Sequence, residues 1–137
     1  MVNLPEYNGS RRAYTAIYYL LVEDDFSSFH KMKSEELWHF YAGSSLTLHM
    51  IEKDGGLNEV MLGSGKDNKE TFQAVVKSDS WVSASVNDSH SYSLVGCTVS
   101  PGFDYDDWQL GDREELIKLY PHHKFIIRKY TRPYSTT

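Results

Sequence analysis

His30 and Glu36 put an imidazole and a carboxylate into one short stretch, HKMKSEELWHFYAG, which runs from His30 to Gly43. Such a pair can move a proton near neutral pH, provided the fold brings the two groups together. In an extended chain alternate residues share a face, so Glu36, Trp38 and Phe40 point one way while Leu37, His39 and Tyr41 point the other. His30 and Met32 share a face of the preceding segment. If the two segments pair through the turn between them, His30 and Glu36 converge in the interior beside Met32 and Trp38. Desolvation there raises a carboxylate's pKa, and a neighbouring imidazole opposes the rise by favouring the ionised form. The plain structural alternative has His30 capping a turn and Glu36 paired with Lys31 or Lys33. Spacing alone weighs the two readings equally, because pocket geometry is what identifies a site.

The elements that must position these residues read as strands. The run AYTAIYYLLV, Ala13 to Val22, is rich in aromatic and β-branched residues, and its apolarity predicts a central strand. Further strands are predicted over Ser28 to Lys33, Glu36 to Tyr41 and Leu46 to Glu52 at hairpin spacing, the last ending at the turn Asp54-Gly55-Gly56. Leu57 to Leu62, Phe72 to Val76, Trp81 to Val86 and Tyr92 to Val99 continue the series. This pattern predicts an all-β sandwich, jelly roll or barrel. One helix stands out, where Asp112 and Glu115 form a capping box ahead of Leu116, Ile117, Leu119 and Tyr120, before Pro121 stops it. It is expected to pack on the outside of the sheet.

With 137 residues the chain is long enough for one domain with a real core. Its net charge of −5 carries no basic footprint, which argues against nucleic acid, and Lys124, Arg128, Lys129 and Arg132 read as a solvated final segment. No apolar run approaches the roughly 20 residues that span a bilayer, and no signal-peptide pattern opens the chain, so a soluble cytoplasmic protein is expected. The single cysteine, Cys97, lies in an apolar run and reads as a small buried hydrophobe. Asp104, Asp106 and Asp107 in PGFDYDDW lack the ligand spread and central glycine of a calcium loop, so this stretch reads as an exposed turn with aromatics folded over the core. His49, His90, His122 and His123 read as surface or strand-edge polarity. No phosphate-binding loop or nucleophile elbow is present.

His30, Glu36 and Gly43 fall on the first sequence motif of the cupin barrels, His-x-His followed by Glu and then Gly, with Met32 at the second histidine position. TAIYYLL from Thr15, SLVGCTVSPGFDYDDWQL from Ser93 and LYPHH from Leu119 extend the similarity, and together these blocks resemble the cupin-5 family of cupin-like domains. The resemblance implies a double-stranded β-helix, or cupin jelly roll, here with one short C-terminal helix. It implies a homodimer with a pocket for a small polar metabolite, and an outline similar to the metal-free dTDP-sugar 3,5-epimerases.

Carried over position by position, the family pattern makes His30 and Glu36 the catalytic candidates, with Tyr18, Trp38 and His39 as ligand-binding candidates. Alternation places His39 opposite Glu36, where a dimer partner or second layer is its expected contact. The second cupin motif, Pro-x-Gly-x-x-His, aligns with KSDSWV at Lys77 to Val82 and lacks all three signature residues. Met32 and Val82 thus replace two of four usual metal positions, so neither a metal nor another cofactor is expected. An epimerase or isomerase of a sugar or sugar nucleotide fits this set, and a non-catalytic metabolite-binding or interaction module is the alternative. Relatives carry an upstream Gly-Gly-aromatic block that has no counterpart before MVNLPEYNGSRR. A shortened chain, a start upstream of this one, or another segment in its place each accounts for that. The expectation is a loose arm over residues 1–12, reaching across a dimer, with the barrel domain at 13–137 and a more open pocket.

Overall fold

The structure is a computed structural model that describes residues 1–133. Two antiparallel-rich sheets face each other. Strands β3 (Thr15–Val22), β5 (Glu35–Gly43), β9 (Gln73–Val76) and β11 (Tyr92–Ser100) form a four-stranded sheet in the order β3-β11-β5-β9. Opposite it lie β4 (Phe26–Met32), β6 (Leu46–Ile51), β7 (Leu57–Leu62), β8 (Glu70–Thr71), β10 (Trp81–Val86) and β12 (Trp108–Leu110), in the order β12-β4-β10-β6-β7-β8. The pattern of the inner faces follows strand alternation. Trp38 and Phe40 of β5 meet Leu46, Leu48 and Met50 of β6 in the core between the sheets, with Val95 and Cys97 of β11 beside them.

Two sequence expectations change here. The Ala13 to Val22 strand is not central. β3 sits at the edge of its sheet, paired with β11 alone. Its inward residue Leu21 is buried, whereas Tyr18, Leu20 and Val22 on the outer face are exposed. Apolar character on both faces suggested burial on both, but one face looks outward. Nor do β4 and β5 pair. Despite the short Lys33-Ser34 link, the chain crosses from one sheet to the other, so β4 pairs with β10 and β12 while β5 pairs with β11 and β9.

The predicted turn after β6 does form a hairpin, with Leu46 opposite Leu62 and Ile51 opposite Leu57. Asp54 Oδ1 accepts from the Gly56 N–H at 2.8 Å, and Gly55 takes φ +86°. Helix α1 (Arg113–Leu119) starts as expected, its N-cap Asp112 accepting from the Glu115 N–H at 3.0 Å. A second helix, α2 (Lys124–Lys129), lies where a solvated cationic segment was expected. Its cations face outward, but Ile127 is fully buried against Phe29, Ile51, Trp81 and Leu116 on the outside of the six-stranded sheet.

Residues 1–12 also differ from a loose arm. β1 (Val2–Asn3) and β2 (Ser10–Arg11) form a small hairpin. Buried Arg11 ties it down by donating to both carboxylate oxygens of Asp107, at 2.8 and 2.9 Å. Tyr7 adds a hydroxyl contact to Ser34 at 3.0 Å.

Candidate functional site

A cavity of about 690 Å³ opens at one end of the sandwich, walled by the inward faces of β3, β4, β5 and β11 and by the loop before β12. His30 and Glu36 meet in it. They arrive from different sheets, His30 on β4 opposite Val82 and Leu110, Glu36 on β5 opposite Val76 and Val99. His30 Nε2 lies 3.7 Å from Glu36 Oε1, an ion-pair distance slightly too long for a hydrogen bond. His30 Nδ1 contacts the Ser28 carbonyl at 2.9 Å, so Nδ1 carries the proton and Nε2 faces Glu36. Burial opposes a charge on this ring, but Glu36 and the Ser28 carbonyl together outweigh it and raise the His30 pKa above its ordinary value. The alternative partners lie elsewhere: Lys31 Nζ sits over the Trp81 ring and Lys33 Nζ over the Tyr7 ring.

Trp38, the next inward residue on β5, lines the cavity but is 1% exposed and tilted against Tyr19, with ring centroids 6.0 Å apart. Tyr18 lies outside the cavity. It is 80% exposed on the outer face of β3, edge-on to Tyr41, and its neighbour Tyr19 takes the inward position. The strand's parity decides this, since Tyr19 and Leu21 share the buried face. His39 is likewise on the outer face, stacked on Tyr41 and in contact with Thr98 Oγ1 at 3.3 Å. Met32 is buried outside the cavity lining, and Val82 belongs to the core.

The aromatic wall comes instead from PGFDYDDW, which the sequence assigned to a turn over the core. Phe103, Tyr105 and Trp108 all line the cavity, and the Trp108 ring lies 6.5 Å from that of His30. The missed signal was the spacing of aromatics in a segment whose acids already have structural work. Asp104 caps the 3-10 turn Tyr105–Asp107, and Asp107 holds Arg11. At the mouth, Arg132 packs its guanidinium on Phe26 and lies 3.5 Å from Asp25.

The donor set does not fit a metal. Among the described residues no three His, Cys, Asp or Glu side chains converge on a point that could hold one. Cys97 lines the cavity too, and burial, helped by the Glu36 charge, pushes its thiol pKa up and favours the neutral thiol.

A second polar cluster involves a histidine expected at the surface. His49 is 5% exposed on β6, with Nδ1 2.5 Å from Glu59 Oε2, Nε2 2.9 Å from Ser85 Oγ and Tyr130 stacked on its ring. Ser85, His49 and Glu59 come from three neighbouring strands, whose backbone N–H groups serve sheet pairing. With both ring nitrogens of His49 engaged and Tyr130 stacked on the ring, this triplet reads as a braced structural network.

Comparison with known proteins agrees with the architecture. The model of the cupin superfamily group DUF985 matches residues 1–111. No curated protein matches the sequence. A crystal structure from Shewanella oneidensis is 38% identical, with TM-score 0.87, covering 93% of this chain and 80% of that one. A hypothetical protein from Leishmania major is 34% identical, with TM-score 0.84, covering 88% and 77%. A dTDP sugar isomerase from Desulfovibrio desulfuricans shares the fold alone, at 10% identity and TM-score 0.60, covering 81% and 71%. The inward His30 and Glu36, the jelly-roll sandwich around them and the family match agree: the chain belongs to the cupin superfamily, in its DUF985 group.

Proposed function

We propose that the cavity is the substrate site of an acid–base enzyme that works without a metal, an epimerase or isomerase of a small polar metabolite in the sugar class. The observation that carries this reading is the 3.7 Å approach of His30 to Glu36 in the wall of the cavity. Glu36 removes a proton from a carbon next to a carbonyl, protonated His30, its charge favoured by that same carboxylate, supports the developing oxyanion and returns a proton to carbon, and Glu36 then passes its proton to His30 so that both groups are restored. The two-donor set at the cupin motif supports chemistry that needs no metal. Incubation of candidate sugars with the protein in deuterated water, followed by NMR at the carbon beside the carbonyl, tests the reading. Glu36→Gln is expected to slow exchange by roughly 10²- to 10⁴-fold. A variant that exchanges at the wild-type rate sinks the proposal; tight binding with no exchange in the wild type favours a binding module.

We further propose that the protein is a homodimer through the outer face of the four-stranded sheet. Tyr18, Leu20, Val22, Tyr41, Val75 and Tyr92 are exposed there. Among the outward residues of these four strands Glu35, at the rim, is the one acidic or basic side chain besides His39. In a chain with net charge −5 this face is where two copies meet without repulsion. Strand spacing and rise give the sheet a footprint of roughly 500 Å², whose rugged accessible area approaches the about 800 Å² per partner of standard interfaces. Sedimentation equilibrium is expected to give twice the chain mass of 15.8 kDa. Leu20→Lys is expected to give the single-chain mass, and a wild-type monomer at micromolar concentration refutes the dimer.

A further inference from the structure

The polar groups of the cavity narrow its ligand further. Glu36 and Trp38 follow one another on the inward face of β5, and Glu36 Oε2 and Trp38 Nε1 are both buried without a hydrogen-bond partner. An open acceptor beside an open donor costs stability, and a ligand that supplies the complementary pair recovers it. Trp38 is packed too deeply to offer its ring face, and what it leaves unsatisfied in the cavity wall is its indole N–H. Stacking falls to Trp108 and Tyr105 in the same wall.

The charges point the same way. Among the described lining residues the permanent cation is Arg132, half-exposed at the mouth, where its Nη2 lies 3.5 Å from Asp25 and donates to the Phe26 carbonyl at 3.3 Å. His30 and Glu36 offset each other. A diphosphate is held best by a cluster of cationic donors, and among the described lining residues Arg132 stands alone, at the mouth and beside the Asp25 carboxylate.

We infer that the cavity takes an uncharged hydroxycarbonyl compound, a free sugar rather than a sugar nucleotide, with a hydroxyl donating to Glu36 Oε2 and an oxygen accepting from the Trp38 indole N–H. This rests on the cavity being the substrate site, and it gives Trp38 a hydrogen-bonding role there.

NMR titration of the ¹⁵N-labelled full chain with D-glucose, D-fructose and, in parallel, thymidine diphosphate tests it. The Trp38 indole N–H signal, assigned by its loss in Trp38→Phe, is expected to shift saturably with at least one sugar and to stay in place with the diphosphate. Glu36→Gln, which keeps the side-chain shape, is expected to weaken sugar binding about tenfold. The inference is overturned if the diphosphate moves the Trp38 signal at lower concentration than either sugar, or if neither sugar moves it. Deuterium exchange is read separately. Sugar binding without exchange removes the acid–base reading and leaves this one, whereas diphosphate binding with exchange intact does the reverse.

Discussion

His30 is the residue on which the site's pH behaviour turns. In the folded chain its pKa is raised above 6.5, because Glu36 and the Ser28 carbonyl favour the imidazolium more than burial disfavours it. A folded-state pKa above the unfolded value means that the native state holds the proton more tightly. The stability this contributes is fully present below 6.5 and is lost as pH rises through the raised value. The melting temperature of wild type relative to His30→Gln, followed across pH, is therefore expected to show its largest margin on the acid side and to narrow toward alkaline pH. A margin that grows with pH contradicts the assignment. The inward facing of His30 and Glu36 was legible in the sequence because alternation survives into the fold, but they meet across two facing sheets and not through the pairing expected of their strands. The outward facing of Tyr18 was not legible, because an apolar strand gives no sign of which parity faces in, and a shift of one residue moves the side chain to the opposite face.

At the scale of elements, β5 carries both the site and the device that ends it. Gly43, the glycine of the cupin motif, has φ +90°, and a Cβ there would lie 2.2 Å from the Tyr92 carbonyl oxygen. Both the backbone conformation and the space require glycine. Gly43→Ala is expected to destabilise the fold by about 2 kcal/mol or more by chemical denaturation, with backbone strain and steric displacement both contributing. A loss within a few tenths of a kcal/mol shows that β11 yields freely at this point. The hairpin at Asp54-Gly55-Gly56 and the Asp112 cap could be read directly, since each is specified by neighbours in the chain. Helix α2 could not. Six residues are too few for a periodic signal, and one buried Ile127 anchors them only through contacts with distant strands.

Across the whole molecule, Arg11 couples the N-terminal hairpin to the cavity through the loop that carries Asp104 and Asp107. Arg11 grips Asp107 with both side chains nearly fully buried, and Asp107 lies in the loop that supplies Tyr105 and Trp108 to the cavity wall. Replacing Arg11 with Met leaves the Asp107 carboxylate without its partner, a destabilising change. The expected outcome is a lower melting temperature together with weaker ligand binding, and Asp107→Asn in the Arg11→Met background is expected to recover part of the stability. Unchanged ligand affinity in Arg11→Met would show that the loop holds its place without the hairpin.

By itself the sequence determined the all-β pattern, most strand positions, the first helix and its cap, and a motif that singles out His30 and Glu36. These depend on local periodicity, turn chemistry and residue spacing. Only the tertiary structure decided that β4 and β5 part into different sheets, that β3 is an edge, that Tyr19 faces the cavity, and that Phe103, Tyr105 and Trp108 wall it. Those outcomes depend on which distant strands pair and which face each presents, and neither is encoded in the spacing of neighbours along the chain.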